Sequence, residues 1–530
     1  MYGSQRCSLS KETTSRRSFL KLASAAALAG MQPGAMAVDP QRRQNGDGDE
    51  GGRRTLELIE VKPALFRPTA HGATIQWITN REVDMKVFVG ARRRQLAQVY
   101  RERTKGPAAF EIDGFEPGES YFVQTSYRDA RTRHWTDSRI HQVRTAPPPG
   151  TPFQVALLAD SHFERVRRFH QDVVNFRATR TAAIRSLVDF AIFLGDEALV
   201  HYIDDDAAAM TPHMARVRWR DWRRTCVDLL ESTPSFMVLG NHEGEAGYYR
   251  DFRGDDNDRD AVPLLRWGTA ARKQYFLNPN HETYPEGGEN AGWVDAGPRS
   301  DREEIMRANS SPLENYYAWT WGDALFVVLD VNRYTRLGQS TPTDVNQWTL
   351  GSDQLRWFER TLAGSSAKWK IVIAHHVLGG YKYDLQGYDY DLSYVYGRGG
   401  ARYAYVGEQA EVTRLMKKYG AQFFLYGHDH VFAHQQTEGI HYICCGRTTF
   451  IQDEWWRTPG WIEAYGSAAA RHPNDFYGAL GYVRLTVSPA SVRVEYLRTA
   501  KDRNGAENVD TPVGGVAYCF ELTEDGRIVT

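Results

Sequence analysis

The hydrophobic positions of this chain follow two rhythms. From about Leu56 to Thr145, short runs alternate apolar and polar residues: "ATIQWIT", "DMKVFVG", "AAFEIDGF", "SYFVQTSYRD" and "IHQVRT", with turn residues between them. Recurrence about every ten residues predicts a small β-sandwich over residues 56–147. "APPPG", Ala146 to Gly150, then predicts a stiff proline-rich hinge.

Past the hinge, over residues 151–530, the runs become uniformly apolar and alternate with helical stretches. "FQVALLAD", "AIFLGD" and "SFMVLGNHE" read as strands, separated by the helices "FRATRTAAIRSLVDF" and "RVRWRDWRRTCVDLLES". Strands alternating with helices predict βαβ units and a largely parallel sheet. Later strands are "NYYAWTWG", "ALFVVLD", "KWKIVIAHH", "AQFFLYGHDH", "IHYICC", "YVRLTV" and "SVRVEYLRT", with the helices "SDQLRWFERTLAG" and "EQAEVTRLMKKYG" among them.

Five strands end alike, an apolar run switching abruptly to polar donors. "LLADSH" supplies Asp160 and His162, and "FLGDE" supplies Asp196. "VLGNHE" gives Asn241, His242 and Glu243, "VIAHH" gives His375 and His376, and "LYGHDH" gives His428 and His430. Carboxylate, imidazole and amide oxygen are the donors that borderline and hard cations accept. Open α/β sheets gather their chemistry at the carboxyl ends of strands, so neighbouring strands would bring these residues to one patch. About seven ligands suit two metals rather than one. A single histidine at a strand end is most often structural, but five ordered ends of this kind are hard to obtain by accident.

Composition narrows the field. With 65 Lys+Arg against 66 Asp+Glu the chain lacks the basic excess of a dedicated nucleic-acid binder, so no stable nucleic-acid partner is expected. A 42% hydrophobic and 12% aromatic content indicates a globular protein. Competing signatures are missing: there is no GxSxG, GxxxxGK[ST] or HExxH, and "GRGG" does not complete a GxGxxG. Cys444 and Cys445 in "HYICCG" read as small hydrophobes of a buried strand.

The N-terminus carries an address. "TSRRSFLKLASAAALAGMQPGAMA" has adjacent Arg16 and Arg17, then Phe19, Leu20 and Lys21, a short apolar run and an Ala35-Met36-Ala37 exit. It resembles a twin-arginine export signal over residues 1–37, with the mature chain beginning near Val38. Leu22 to Gly30 is far shorter than the ~20 apolar residues of a spanning helix. The expectation is export by the twin-arginine machinery to the periplasm or the extracellular space. Residues 38–55, polar and glycine-rich, predict a disordered linker.

The ordered set D-x-H, G-D, G-N-H-E, H-H and G-H-x-H resembles the calcineurin-like metallophosphoesterase superfamily. "GFEPGESYFVQ" resembles the turn-plus-tyrosine element of fibronectin type III domains, with Tyr121 in the tyrosine position. Together they make the arrangement, from about Leu56 to Thr530, similar to that of purple acid phosphatases. The implied fold is a calcineurin-like α/β/β/α sandwich preceded by a fibronectin type III-like β-sandwich. Carried over by position, the resemblance implies one metal held by Asp160, His162 and His430, another by Asn241, His375 and His428, and Asp196 bridging both. It also implies His242 as the transition-state partner and general acid, with Glu243 behind it to orient the imidazole. The cofactors would be two divalent or trivalent ions, Fe, Zn or Mn, and the reaction in-line attack of a metal-bound hydroxide on a small-molecule phosphate monoester.

Two departures separate the chain from purple enzymes. Leu199 stands where they have a tyrosine ligand, Tyr202 lies three positions further on, and His162 takes a place where they have glycine. An all-N/O site without purple colour is expected. His376 would point to the opposite face if its strand continued, which leaves a substrate-contacting or supporting role and the absence of any such role equally open. His201, His434 and His441 read as structural or surface residues. The Tyr-rich loop 379–405 reads as packing or as a pocket wall, and the insert Gly244 to Pro312 as mostly solvated charge that covers the site. A phosphodiesterase or nucleotidase of the same fold is the alternative reading, and a non-catalytic binding or adhesion protein a remote one.

Overall fold

The alternating segment folds as antiparallel strands: β1 (Ile59–Phe66), β2 (Ala73–Arg92), β3 (Gln95–Ile112), β4 (Ser120–Asp129), β5 (Thr136–Asp137) and β6 (His141–Arg144). The computed structural model describes residues 58–163, 170–200, 210–246, 264–279, 314–333, 349–378, 407–437, 439–450, 476–502 and 510–529. β2 serves two layers. Residues 74–79 pair with β1 and residues 83–90 with β4, and a register irregularity between Thr79 and Val83 makes the bend. Trp77, Met85, Val87, Val123 and Val143 fill the space between. Tyr121 closes the "GFEPGESY" turn: its hydroxyl accepts from the Glu116 amide at 2.8 Å and its ring stacks on Phe115.

The apolar runs build two further sheets. In the first, β7 (Phe153–Leu158), β8 (Phe190–Phe193) and β9 (Ser235–Met237) lie parallel side by side. The second contains β10 (Tyr317–Trp321), β11 (Ala324–Val328), β12 (Trp369–Ile373), β13 (Phe423–Tyr426), β14 (Phe432–Thr437), β15 (Ile440–Cys445) and β16 (Phe476–Tyr477), in the order β10-β11-β12-β13-β15-β14-β16. β17 (Leu480–Val487) returns to the first sheet antiparallel beside β7, followed outward by β18 (Ser491–Ala500), β19 (Val516–Thr523) and β20 (Ile528–Val529).

Period-two alternation explains the layering. Val155, Leu157, Phe190 and Ile192 face Trp319, Phe326, Ile371 and Leu425 between the two sheets. Ala156, Leu158, Ala191 and Phe193 face the other way, toward α1 (His170–Arg185), α2 (Pro212–Thr225) and α3 (Val227–Leu230). On the far side, α5 (Ser352–Gly364) and α6 (Gly407–Lys418) cover the second sheet with Trp357, Phe358, Leu415 and Met416. The expected α/β/β/α sandwich therefore forms. Cys444 and Cys445 are buried free thiols in β15, as small hydrophobes would be.

Three local expectations change. The helix read through "RVRWRDWRRTCVDLLES" breaks at Cys226 into α2 and α3. The insert read as solvated charge contains α4 (Leu264–Tyr275), whose Arg272 is fully buried and paired with Glu245 at 2.6 Å. β12 ends at Ile373, so strand alternation no longer governs His376, and its ring lies against that of His428 with centroids 3.7 Å apart. The signal (1–37), the linker (38–55), His201, Tyr202, the loop 379–405 and most of the insert lie outside the described residues. No helix of the described residues is long and apolar enough to cross a membrane.

The N-terminal strands attach where the site is built. β1 pairs in parallel with β9 through Phe66 and Ser235, and Arg223 of α2 locks the joint. Its buried guanidinium donates to the Lys62 carbonyl at 3.1 Å, to both oxygens of Gln76 at 2.7 and 3.0 Å, and to the Tyr275 carbonyl. Arg223→Ala strips these buried acceptors of their donor, at about 1–3 kcal/mol each before relaxation. The expected loss is roughly 3 kcal/mol or more of stability in urea unfolding followed by tryptophan fluorescence; a loss under about 1 kcal/mol would show that this joint contributes little.

Candidate metal centre

The carboxyl ends of β7, β8 and β9 in one sheet and of β12 and β13 in the other open toward the same space. Their backbones are stitched together past the last strand residue. The amides of Asp160, His162 and Phe163 donate to the carbonyls of Gly195, Asp196 and Glu197 at 3.1, 2.9 and 3.0 Å. Between the sheets the His428 amide donates to both carboxylate oxygens of Asp160, at 3.1 and 3.0 Å. To turn side chains inward so soon after a strand, Asp160, His162, Asp196, Leu199, His428 and His430 all adopt left-handed backbone, with φ between 42° and 69°. For non-glycine residues this is costly, and such strain concentrates at functional sites.

Glycine supplies the closest approach. A Cβ on Gly240 would lie 2.2 Å from Asp196 Oδ1 and 2.4 Å from the Asp196 amide nitrogen. Gly195, at φ 97°, faces the Gly240 amide in the same way. The two turns can touch only because both lack side chains.

Two donor clusters result. Asp160, His162, Asp196 and His430 offer ligand atoms within 4.8 Å of one another, as do His375, His376 and His428. In the first, the Nε2 atoms of His162 and His430 are 3.1 Å apart, and Asp160 Oδ1 lies 3.6 Å from His430 Nε2. In the second, His375 Nε2 is 3.1 Å from Asn241 Oδ1 and 3.3 Å from His428 Nδ1. Asp196 Oδ2 stands between them, 3.5 Å from His162 Nε2 and 3.2 Å from His375 Nε2. His242 Nε2 approaches the same oxygen at 3.6 Å, and its side chain remains 14% exposed.

This donor set fits a metal cation. Bonds of about 2.1 Å to one ion put adjacent ligands about 3.0–3.4 Å apart, the spacing of the facing nitrogens here. Asp196 Oδ2 is buried without a well-formed hydrogen bond, although three imidazoles surround it. His375 is oriented to ligate: its Nδ1 donates to the Leu194 carbonyl at 2.7 Å, which turns Nε2 toward the cluster. The pocket also calls for positive charge. Burial opposes a charged His375, yet Asp196 and Asp160 outweigh it and push its pKa up to about 9. Burial likewise opposes ionisation of Asp196, but His242, His375 and His162 hold its carboxyl well below the usual range.

Glu243 has a different task from the one expected. Its Oε2 accepts from the amides of Gly240 at 2.7 Å and Asp196 at 3.1 Å, and its Oε1 from Glu197 at 2.6 Å and Ala198 at 3.4 Å. Those bonds brace the two turns that present Asp196 and Asn241. Burial, then the neighbouring Asp196, push its pKa up to about 7.

Arg447 is a residue that the strand-end pattern could not reveal. It follows β15, a strand without ligands at its end, and its guanidinium is fully buried. Nε donates to the Asp160 carbonyl and Nη1 meets His430 Nδ1, both at 3.1 Å. Burial first, then Arg447 and the neighbouring imidazoles, hold His430 well below the usual imidazole range.

A family model described as calcineurin-like phosphoesterase matches residues 153–432, the span that contains both clusters. The chain belongs to that family. This phosphoesterase is accordingly a hydrolase acting on phosphoesters, in a family that works with metal ions. A solved structure described as PhoD is similar with TM-score 0.61 and 16% identity, covering 89% of this chain and 92% of its own. Purple acid phosphatase PPD1 from yellow lupin (Lupinus luteus) seeds is similar with TM-score 0.50 and 13% identity, covering 84% and 75%. At these identities the likeness is one of fold. No match was found among curated proteins.

Because Gly240 carries no ligand atom, Gly240→Ala tests the packing of the turns alone. The added methyl displaces the Asp196 carboxylate, and metal affinity is expected to fall roughly 10- to 100-fold, as for other supporting-residue changes. Elemental analysis after dialysis against graded metal buffers, with circular dichroism as the fold control, reads the effect; unchanged affinity would refute it.

Proposed function

We propose that this phosphoesterase holds two cations and hydrolyses phosphate monoesters. Asp160, His162 and His430 would hold one cation, and Asn241, His375 and His428 the other. The observation that carries the reading is Asp196 Oδ2, which faces imidazoles of both clusters at 3.2 and 3.5 Å. Fe, Zn and Mn suit such N/O donors. Leu199, buried where a purple enzyme has its tyrosine, leaves no phenolate to add to them.

Bound cations would supply an activated water and neutralise phosphoryl charge. The chain's own residues do the rest. Asp196 spans the two clusters and fixes their separation. His242 is less buried than Asp196, and its Nε2 is close enough to the bridging carboxylate to meet a substrate there and protonate the departing oxygen. Its amide donates to Asp196 Oδ1 at 2.9 Å, so acid and bridge are held in one register. Glu243 contributes by keeping both turns rigid.

The monoester preference rests on the resemblance to purple acid phosphatases, which extends to a fibronectin type III-like reading of β1–β6. One assay series on metal-loaded enzyme tests these assignments. A chromogenic monoester is expected to be cleaved faster than its bis-ester; the reverse order would favour the phosphodiesterase reading. Asp196→Ala is expected to lose metal and activity together, whereas His242→Ala keeps its metal and loses about 10²- to 10⁴-fold in turnover. Equal metal loss in both variants would remove the role given to His242.

Twin-arginine export to the periplasm or extracellular space completes the proposal, supported by Arg16 and Arg17 ahead of a short apolar run. Expressed in an export-competent host, the processed protein should begin near Val38. Replacing both arginines with lysine should retain it in the cytoplasm, and undiminished export would refute this route.

A further inference from the structure

Arg447 reaches the site along a fixed path. Gly446, at φ 78°, turns the chain after β15, and the Arg447 carbonyl then accepts from the Gly481 amide of β17 at 3.0 Å. From there the buried guanidinium lies over the Phe450 ring, 3.8 Å from its centroid, with Nε on the Asp160 carbonyl. Nη1 is left facing His430 Nδ1 at 3.1 Å.

A guanidinium has donors and no acceptor. At His430 Nδ1 it can therefore only donate, and the lone pair of that nitrogen must point at it. A neutral imidazole has a single N–H, so the proton of His430 sits on Nε2. That is the atom facing His162 Nε2 and Asp160 Oδ1 in the first cluster. His375 shows the opposite arrangement, with its Nδ1–H on the Leu194 carbonyl and an acceptor, not a donor, behind the nitrogen that faces the cluster. Ligating histidines ordinarily have an acceptor behind them, whereas His430 has a donor.

We propose that Arg447 is a positioning residue that weakens cation binding at the Asp160–His162–His430 cluster by holding His430 in the tautomer that cannot ligate through Nε2. To take up a cation there, the guanidinium must release Nδ1 and the ring proton must move from Nε2 to Nδ1. His375 needs no transfer between its ring nitrogens, because its Nδ1 already holds a proton on the Leu194 carbonyl. The clusters therefore differ in affinity, and the one touched by Arg447 is the exchangeable one. This inference rests on reading both clusters as cation sites.

Metal-free full-length protein titrated with Co(II), followed by visible absorption and by bound-metal analysis, tests it. Wild type is expected to fill in two steps, one tight and one weaker. Arg447→Gln, whose amide oxygen can accept from Nδ1–H, should tighten the weaker step about tenfold and leave the tight step unchanged. Arg447→Lys, again a pure donor, should stay at the wild-type value. A weaker step unchanged or weakened in Arg447→Gln, or tightened equally by lysine, would overturn the proposal. Should the glutamine variant not fold, Phe450→Leu removes the ring that seats the guanidinium and should tighten the same step severalfold; no change there would equally overturn it. Absence of Co(II) uptake by wild type would instead sink the two-cation reading on which the proposal stands.

Discussion

Everything around the centre follows from burying the carboxylate of Asp196. An ionised carboxylate out of water is expensive unless hydrogen bonds and positive charge replace its hydration. One oxygen receives the His242 amide, and the other faces three imidazoles. A cation between those imidazoles and that oxygen would supply the missing charge and relieve the crowding of nitrogens near 3 Å. The protein meets the cost of assembling this arrangement elsewhere. Glu243 spends its oxygens on four backbone amides, and six non-glycine residues accept left-handed backbone to aim their side chains inward.

The two sheets are needed because neither alone can surround a cation. Strand ends in one sheet present donors along a line, while two sheets packed face to face present them from two sides. The core between them, Phe190, Ile192, Trp319 and Phe326 among others, sets the distance at which Asp160 meets the His428 amide. Aliphatic and aromatic packing thus sets the geometry of the polar site. A cavity in that core would alter the spacing of ligands it never touches.

Much of this was legible in the sequence because strand periodicity and donor chemistry are local signals. "FLGDE" and "LYGHDH" each state that a buried run stops and a ligand follows, and only their arrangement across sheets depends on the tertiary fold. What stayed hidden depends on contacts distant in sequence. Glu243 read as a partner of His242, its neighbour, but the turn folds its carboxylate onto the amides of residues 196–198. His376 read as facing away because strand alternation was extended past Ile373, where the strand has ended. Arg272 reads as solvated charge and Arg447 carries no signal in the sequence, since a buried arginine is recognisable only once its partners are in place.

The N-terminal strands also belong to this logic. β9 is three residues long, yet it presents Asn241, His242 and Glu243, and a strand that short at the edge of a sheet would fray. Pairing of Phe66 with Ser235 places β1 outside it, and Arg223 anchors α2 to Lys62, Gln76 and Tyr275 behind the joint. Beyond Phe66 on the β1 edge the Met237 amide donates to Asn278, and on the β8 side the Val238 amide donates to the Phe193 carbonyl. β9 is therefore held on both sides before it reaches the turn that presents its donors. The N-terminal segment acts as an edge clamp on the strand carrying the proposed general acid, a role that requires no ligand of its own.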